Sequence, residues 1–163
     1  MVDAPEGLVL LLLSYAAWRD VATRLIPDWI SVAILCCAVL LQTPRGWEQA
    51  LLSASASLAI FAALAVLCVR GALGGGDVKL AAAVTAALPI EVVWDFLLAT
   101  AISGGLIGLA YLALRERVAV PAPAGGLLGR VAGIEARRMR RGGPLPYALA
   151  IAAGGALAIL TKG

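Results

Sequence analysis

The chain carries ten carboxylates, three cysteines and no histidine, which narrows its chemistry at once. Without an imidazole there is no Ser-His-Asp or Cys-His nucleophile system, no H-E-x-x-H zinc site and no histidine-ligated haem. Cys36, Cys37 and Cys68 lie inside apolar runs with no C-x-x-C pair, the pattern of inert buried thiols rather than of a metal site or a disulfide framework. Acid–base chemistry by carboxyl groups is what remains. Of the five aspartates, Asp3 lies in the N-terminal tail and Asp95 sits beside Glu91 and Trp94, both suited to an interface. Asp20, Asp28 and Asp77 each adjoin an apolar segment, where an ionisable group is expensive and a functional candidate by default. Two carboxyls in one low-dielectric cleft cannot both ionise comfortably, so one keeps a proton while the other acts as base on a water. That is aspartic-peptidase chemistry. It needs neither a metal nor a cofactor.

The elements that must position these acids are membrane helices. The 163 residues are 62% apolar and 14% charged, with a mean hydropathy of +0.96. One aqueous core of this size cannot hide so much apolar surface, which excludes a soluble enzyme or a nucleic-acid-binding module. The expected fold is all-α and polytopic, a single membrane domain over 1–163 with about six transmembrane helices. The segments run from 7 to about 25, over 29–42, over Trp47–Val69, and over 77–88, 92–114 and 145–161. Pro27 opens the second, and Thr43-Pro44-Arg45-Gly46 turns the chain into the third. A bilayer core of about 30 Å asks for about 20 helical residues, so the first, second, fourth and sixth are short. There is no internal repeat, and the acidic start does not resemble a secretory signal.

Charge gives an orientation. The side reached after segments one, three and five takes Arg19, Arg24, Arg70, Lys79 and seven arginines of the 115–144 loop, 11 of the 13 basic residues. Only Arg45 and Lys162 lie opposite. The positive-inside rule makes the basic side cytoplasmic and both termini non-cytoplasmic. Arg137, Arg138, Arg140 and Arg141 in that loop fix orientation and offer a surface to anionic lipids. Asp20, Asp28 and Asp77 all fall on the cytoplasmic side. The hairpin of segments two and three returns the chain to the side it left, so Asp20 and Asp77 can meet. Two short helices with polar ends there imply a dent that water enters.

Gly74-Gly75-Gly76 before Asp77 permits close backbone approach and positive φ, so that an extended substrate can lie beside the carboxyl. It is not a phosphate loop, because Leu80 follows Lys79 and no glycine precedes that lysine. Arg24, four positions after Asp20, is expected either to pair with it on a continuous helix or to anchor the helix end at the interface. Lys79, two positions from Asp77, points to another face and is expected to snorkel or to meet a substrate carboxylate or lipid phosphate. Gly104-x-x-x-Gly108 and Gly154-Gly155 are expected to allow close helix packing.

Gly74-x-Gly76-Asp77-x-Lys79-Leu80 resembles the G-x-G-D motif of intramembrane aspartic peptidases. With Asp20-x-x-x-Arg24-x-Ile26-Pro27-Asp28 upstream and Pro146-Tyr147-Ala148 opening the last segment, the chain is similar to the type IV prepilin leader peptidases, most of all the short form serving Flp/Tad pili. The resemblance runs from the first segment to the sixth. It implies a catalytic pair, Asp20 and Asp77, with Gly74, Gly76, Lys79, Arg24, Pro27 and Asp28 in support. It further implies a prepilin substrate, cut on the cytoplasmic side of a bacterial inner membrane after the glycine preceding its apolar helix. Position 28 is Asp where the short forms commonly have Asn, and position 148 is Ala rather than Gly. The cysteine tetrad of the long bifunctional members is absent, so N-methylation of the trimmed pilin is not expected. Two other classes fit the composition. A small proton-coupled transporter would show repeat symmetry and broken helices near the midplane; a non-catalytic scaffold of pilus machinery would not require both acids. The sequence sets no oligomeric state.

Overall fold

The computed structural model describes residues 3–115, 133–134, 136–137 and 145–161. Most of the basic 115–144 loop, including Arg138, Arg140 and Arg141, lies outside the described residues. Among the described residues six α-helices are delimited: α1 (Ala4–Thr23), α2 (Asp28–Gln42), α3 (Trp47–Val69), α4 (Gly75–Ala87), α5 (Ile90–Leu114) and α6 (Tyr147–Thr161), with a 3-10 turn over Thr43–Arg45. The fold is all-α as expected, with no strand among the described residues. The stretches Asp28–Arg45, Trp47–Val69 and Ile90–Leu114 are long and apolar enough to cross a membrane.

Local chemistry sets the helix ends. Asp3 and Glu6 form a capping box at the start of α1, and Pro27 and Pro89 are the N-caps of α2 and α5. The first helix stops at Thr23 rather than running on to about 25. Pro27 disfavours a helical Ile26, and the chain leaves α1 through Arg24 in the left-handed region (φ 58°, ψ 25°), whose N–H still reaches Asp20 O at 2.9 Å.

The organising element is α4, apolar nearly all round and buried from Asp77 to Ala87 apart from Lys79 and Ala86. It packs against α2, α3 and α6. Its alanines let these neighbours approach closely, the usual basis of helix association in lipid. By contrast α3 buries only Ser53, and α5 only Val93 and Phe96. Leu51, Leu52 and Leu58 of α3 and Leu98, Leu106, Leu109 and Leu112 of α5 face outward, as a bilayer allows.

At 13 residues α4 is about 20 Å long, well short of a bilayer core of about 30 Å. Its terminal carbonyls therefore need donors from the protein. The end of α2, the turn that follows it and the second turn of α3 supply them. Gln42 Nε2 donates to Ala86 O (2.9 Å) and Leu88 O (3.1 Å), Arg45 Nη1 to Ala87 O (3.2 Å), and Ser53 Oγ to Leu88 O (2.9 Å). Arg45 also lies 3.7 Å from the buried Glu6 carboxylate, which ties the start of α1 to this end of α4. One turn from Ser53, Ser57 Oγ donates to Ala82 O at 2.7 Å.

Glycines seat α6 as expected at one of the two places. A Cβ on Gly155 would stand 2.8 Å from Leu13 Cδ1 and 3.3 Å from Val84 Cγ1, and one on Gly154 2.9 Å from Phe96 O. Gly104 and Gly108 differ: a Cβ there would sit 3.6 Å from Ala150 and 3.5 Å from Leu145, ordinary contact rather than enforced closeness. Gln42→Leu keeps the side-chain bulk but strands the Ala86 carbonyl and leaves Leu88 O to Ser53 alone, and should cost about 1–3 kcal/mol of stability. Unfolding in detergent checks this; an unchanged midpoint would contradict the capping role.

Candidate active site

Asp20 lies in the last turn of α1 and is only 5% exposed. Its partner comes from 128 positions away: the Ala148 N–H donates to Asp20 Oδ2 at 3.1 Å. First-turn N–H groups have no acceptor within their own helix, and a helix N-terminus carries partial positive charge. The start of α6 is therefore a natural seat for a carboxylate. Because a backbone N–H makes the contact, Ala at position 148 supplies the same donor that Gly would.

Asp77 is the third residue of α4 and is 8% exposed. Its carboxylate folds back over the Gly74 backbone N–H, the reciprocal half of a capping box. This gives the glycines a physical reason other than the expected one. Gly74 is extended (φ −77°, ψ 144°) and Gly75 and Gly76 are helical; the positive-φ glycines among the described residues are Gly46 and Gly71. Space is what Gly74 and Gly76 provide. A Cβ on Gly74 would stand 2.8 Å from Asp77 Oδ2, and one on Gly76 3.1 Å from Ile26 Cβ. At Gly75 the nearest atom would be Cys68 Sγ at 3.9 Å. The two aspartate motifs thus touch, Ile26 of the α1–α2 link resting on the first turn of α4, with Pro27 holding Ile26 out of helical geometry.

Asp20 and Asp77, 57 positions apart, are brought to one end of the bundle, where the Asp20 carboxyl and the Arg24 guanidinium act electrostatically on Asp77. Asp77 Oδ1 is buried and makes no hydrogen bond among the described residues. Arg24 is not the next turn of a continuous helix; from its left-handed position it donates from Nη2 to Tyr111 Oη on α5 at 3.2 Å. No motif marks Tyr111 in the sequence, and only its place near the same end of α5 could have drawn attention to it. Lys79 has a protein partner that the sequence did not indicate. Its Nζ lies 2.8 Å from Asp28 Oδ1, in a pair whose side chains are 48% and 70% exposed. The pair joins α4 to the first turn of α2, and solvent exposure limits it to about 0–1 kcal/mol.

The remaining acids lie elsewhere. Asp3 caps α1, Glu91 accepts from Gln49 Nε2 at 2.5 Å, and Asp95 is exposed on α5. Among the described residues no group of three or more His, Cys, Asp or Glu could hold a metal ion. Cys36 is exposed, Cys37 buried and Cys68 half-buried, all as free thiols. The site therefore offers two buried carboxyls, each with one oxygen turned to a backbone N–H, and a nearby guanidinium. Such a pair is equipped to hold a proton and polarise a water.

The sequence pattern of the Type IV leader peptidase family matches residues 7–109. The prepilin leader peptidase/N-methyltransferase of Bacillus subtilis (strain 168) is 31% identical over 159 residues, covering 96% of this chain and 55% of the relative. The chain thus spans about half the length of that curated relative. No solved structure matches it. The family match takes in both aspartates and the glycines that shape their pocket, and this chain belongs to the type IV leader peptidase family.

Proposed function

We propose that the protein is a membrane aspartic endopeptidase that removes the leader of a type IV-like, Flp-type prepilin at the cytoplasmic face of the bacterial inner membrane. The observation that carries this is the meeting of two buried aspartates from distant helices, each anchored on a backbone N–H at a helix start. In the proposed reaction the ionised carboxyl takes a proton from a water as its oxygen bonds to the scissile carbonyl carbon. The protonated carboxyl donates to the carbonyl oxygen. Collapse of the tetrahedral gem-diol breaks the C–N bond: one carboxyl gives its proton to the leaving amine while the other takes a proton from a gem-diol hydroxyl, which leaves a carboxylic acid product and the pair again holding one proton. Acid and base are properties of the pair rather than of either residue. Arg24, held by Tyr111, supplies positive charge beside it. Gly74 and Gly76 keep the carboxyl and the α1–α2 link in register, Pro27 shapes that link, and Asp28 with Lys79 braces its far end. Both termini are placed on the non-cytoplasmic side by the charge distribution. Anionic lipids at Arg137, Arg138, Arg140 and Arg141 complete the expected surroundings.

Co-expression with a candidate prepilin, following leader removal by gel shift, tests the reading. Asp20→Asn and Asp77→Asn should each lower cleavage by about 10²–10⁴-fold at unchanged membrane levels. Full processing by either variant would rule out paired-acid catalysis. Among the glycines, Gly74→Ala and Gly76→Ala should lose up to about 10²-fold through displacement of the acids, whereas Gly75→Ala should remain near wild type. Equal effects at all three positions would remove the spacing explanation. Replacing Cys36, Cys37 and Cys68 by Ser, or adding a chelator, should leave the rate unchanged; metal-dependent cleavage would contradict the mechanism.

A further inference from the structure

Between α3 and α5 the bundle opens laterally into a groove of about 670 Å³. Ala81 of α4 and Ile151 of α6 line it, Leu64 of α3 forms one wall, and Gly104, Gly105 and Gly108 of α5 form the other. Along α5 it runs from Leu97 to Leu112, about 22 Å of helix, most of the depth of a bilayer core. Among the described residues no charged side chain lines it.

Two observations point to an occupant. The first is continuity with the acids. Leu73, at the groove, directly precedes Gly74, over which the Asp77 carboxylate folds; Tyr147, also at the groove, directly precedes Ala148, whose N–H holds Asp20. The neighbouring groove between α2 and α3 is smaller, about 540 Å³. It carries the Asp28–Lys79 pair and includes neither of these flanking residues. The second observation concerns the glycines. Among the described residues a Cβ on Gly105 would meet nothing within 4 Å, and Gly104 and Gly108 each have room for a methyl, so packing among those residues does not require them to be bare. Elsewhere α5 turns Leu98, Ile102 and Leu106 outward, as lipid permits. A trough of bare backbone loses dispersion contacts against disordered acyl chains but lets the ridge of another helix approach closely.

We propose that this groove receives the apolar transmembrane helix of the substrate and so delivers the leader-proximal end of that helix to Asp20 and Asp77. The proposal rests on the peptidase reading for its chemistry, but occupancy can be measured without cleavage. A cysteine-free Asp77→Asn protein carrying Gly105→Cys is paired with a prepilin bearing one cysteine in its apolar helix, and oxidative adducts are counted. The comparison carries Leu58→Cys in the α2–α3 groove instead. Gly105→Cys should give at least about tenfold more adduct, equivalent to about 1.4 kcal/mol of preference. Equal yields, or more adduct at Leu58→Cys, would overturn the proposal. Gly105→Leu, whose side chain enters open space, should fold normally and lower kcat/KM for the full prepilin by about tenfold or more. Cleavage of a short leader peptide lacking the apolar helix should be unchanged. Unaltered cleavage of full prepilin by Gly105→Leu, with no adduct at Gly105→Cys, would mean that lipid alone fills the groove. If wild-type protein cuts neither substrate the peptidase reading fails, while the adduct ratio still decides occupancy.

Discussion

A helix too short for the bilayer must find hydrogen-bond partners for both of its ends inside the protein, and α4 obeys that constraint at each end. At one end the Ala86, Ala87 and Leu88 carbonyls are met by Gln42, Arg45 and Ser53. At the other, Asp77 covers the N-cap from within the first turn. Unmet backbone groups in hydrocarbon are costly enough that these contacts fix the depth of α4. The depth of α4 in turn fixes the depth of Asp77. The same logic applies to Asp20, which answers the start of α6. Each acid at the candidate site is thus also a cap, so the groups proposed to do chemistry are held by the interactions that terminate helices.

This arrangement separates structural work from reactive work along one short rod. Glu6, Arg45, Gln42 and Ser53 gather where the chain turns between α2 and α3, while the aspartates gather about ten residues back along α4, roughly 15 Å away. Between the two ends α4 is lined with alanine, which lets α2, α3 and α6 close in without large side chains. The outer faces of α3 and α5 are left to the lipid, and the gap between these helices opens a lateral path toward the acids. The substrate proposed above would need such access, because an apolar helix embedded in the bilayer cannot arrive through water.

Much of this was legible in the sequence because lipid makes the rules strict. Apolar length and the prolines and glycines between apolar runs marked the six helices, and the hairpin of the second and third let Asp20 and Asp77 meet. The aspartate motifs pointed to Asp20 and Asp77, and the structure brings those two together. What escaped was geometry set by contacts across long separations. The glycines before Asp77 suggested positive φ, yet their role is clearance for one carboxylate and for Ile26. Arg24 looked like the next turn of a helix that Pro27 had already ended. Lys79 carried no local sign that Asp28, 51 positions earlier, would hold it. Tyr111 sits in an unremarkable apolar run and Gln42 at the edge of the Thr43–Arg45 turn, and only the packed bundle shows what their polar atoms reach.

The central claim is that the Asp20 and Asp77 side chains occupy one pocket at one end of the bundle. Its most direct test places Asp20→Cys and Asp77→Cys together in a protein otherwise free of cysteine, in sealed membranes of known orientation. A short bifunctional thiol reagent should join the two within a single chain, and a membrane-impermeant thiol reagent should reach both from the cytoplasmic side. Absence of an intramolecular cross-link, with the two thiols labelled from opposite faces of the membrane, would contradict the account.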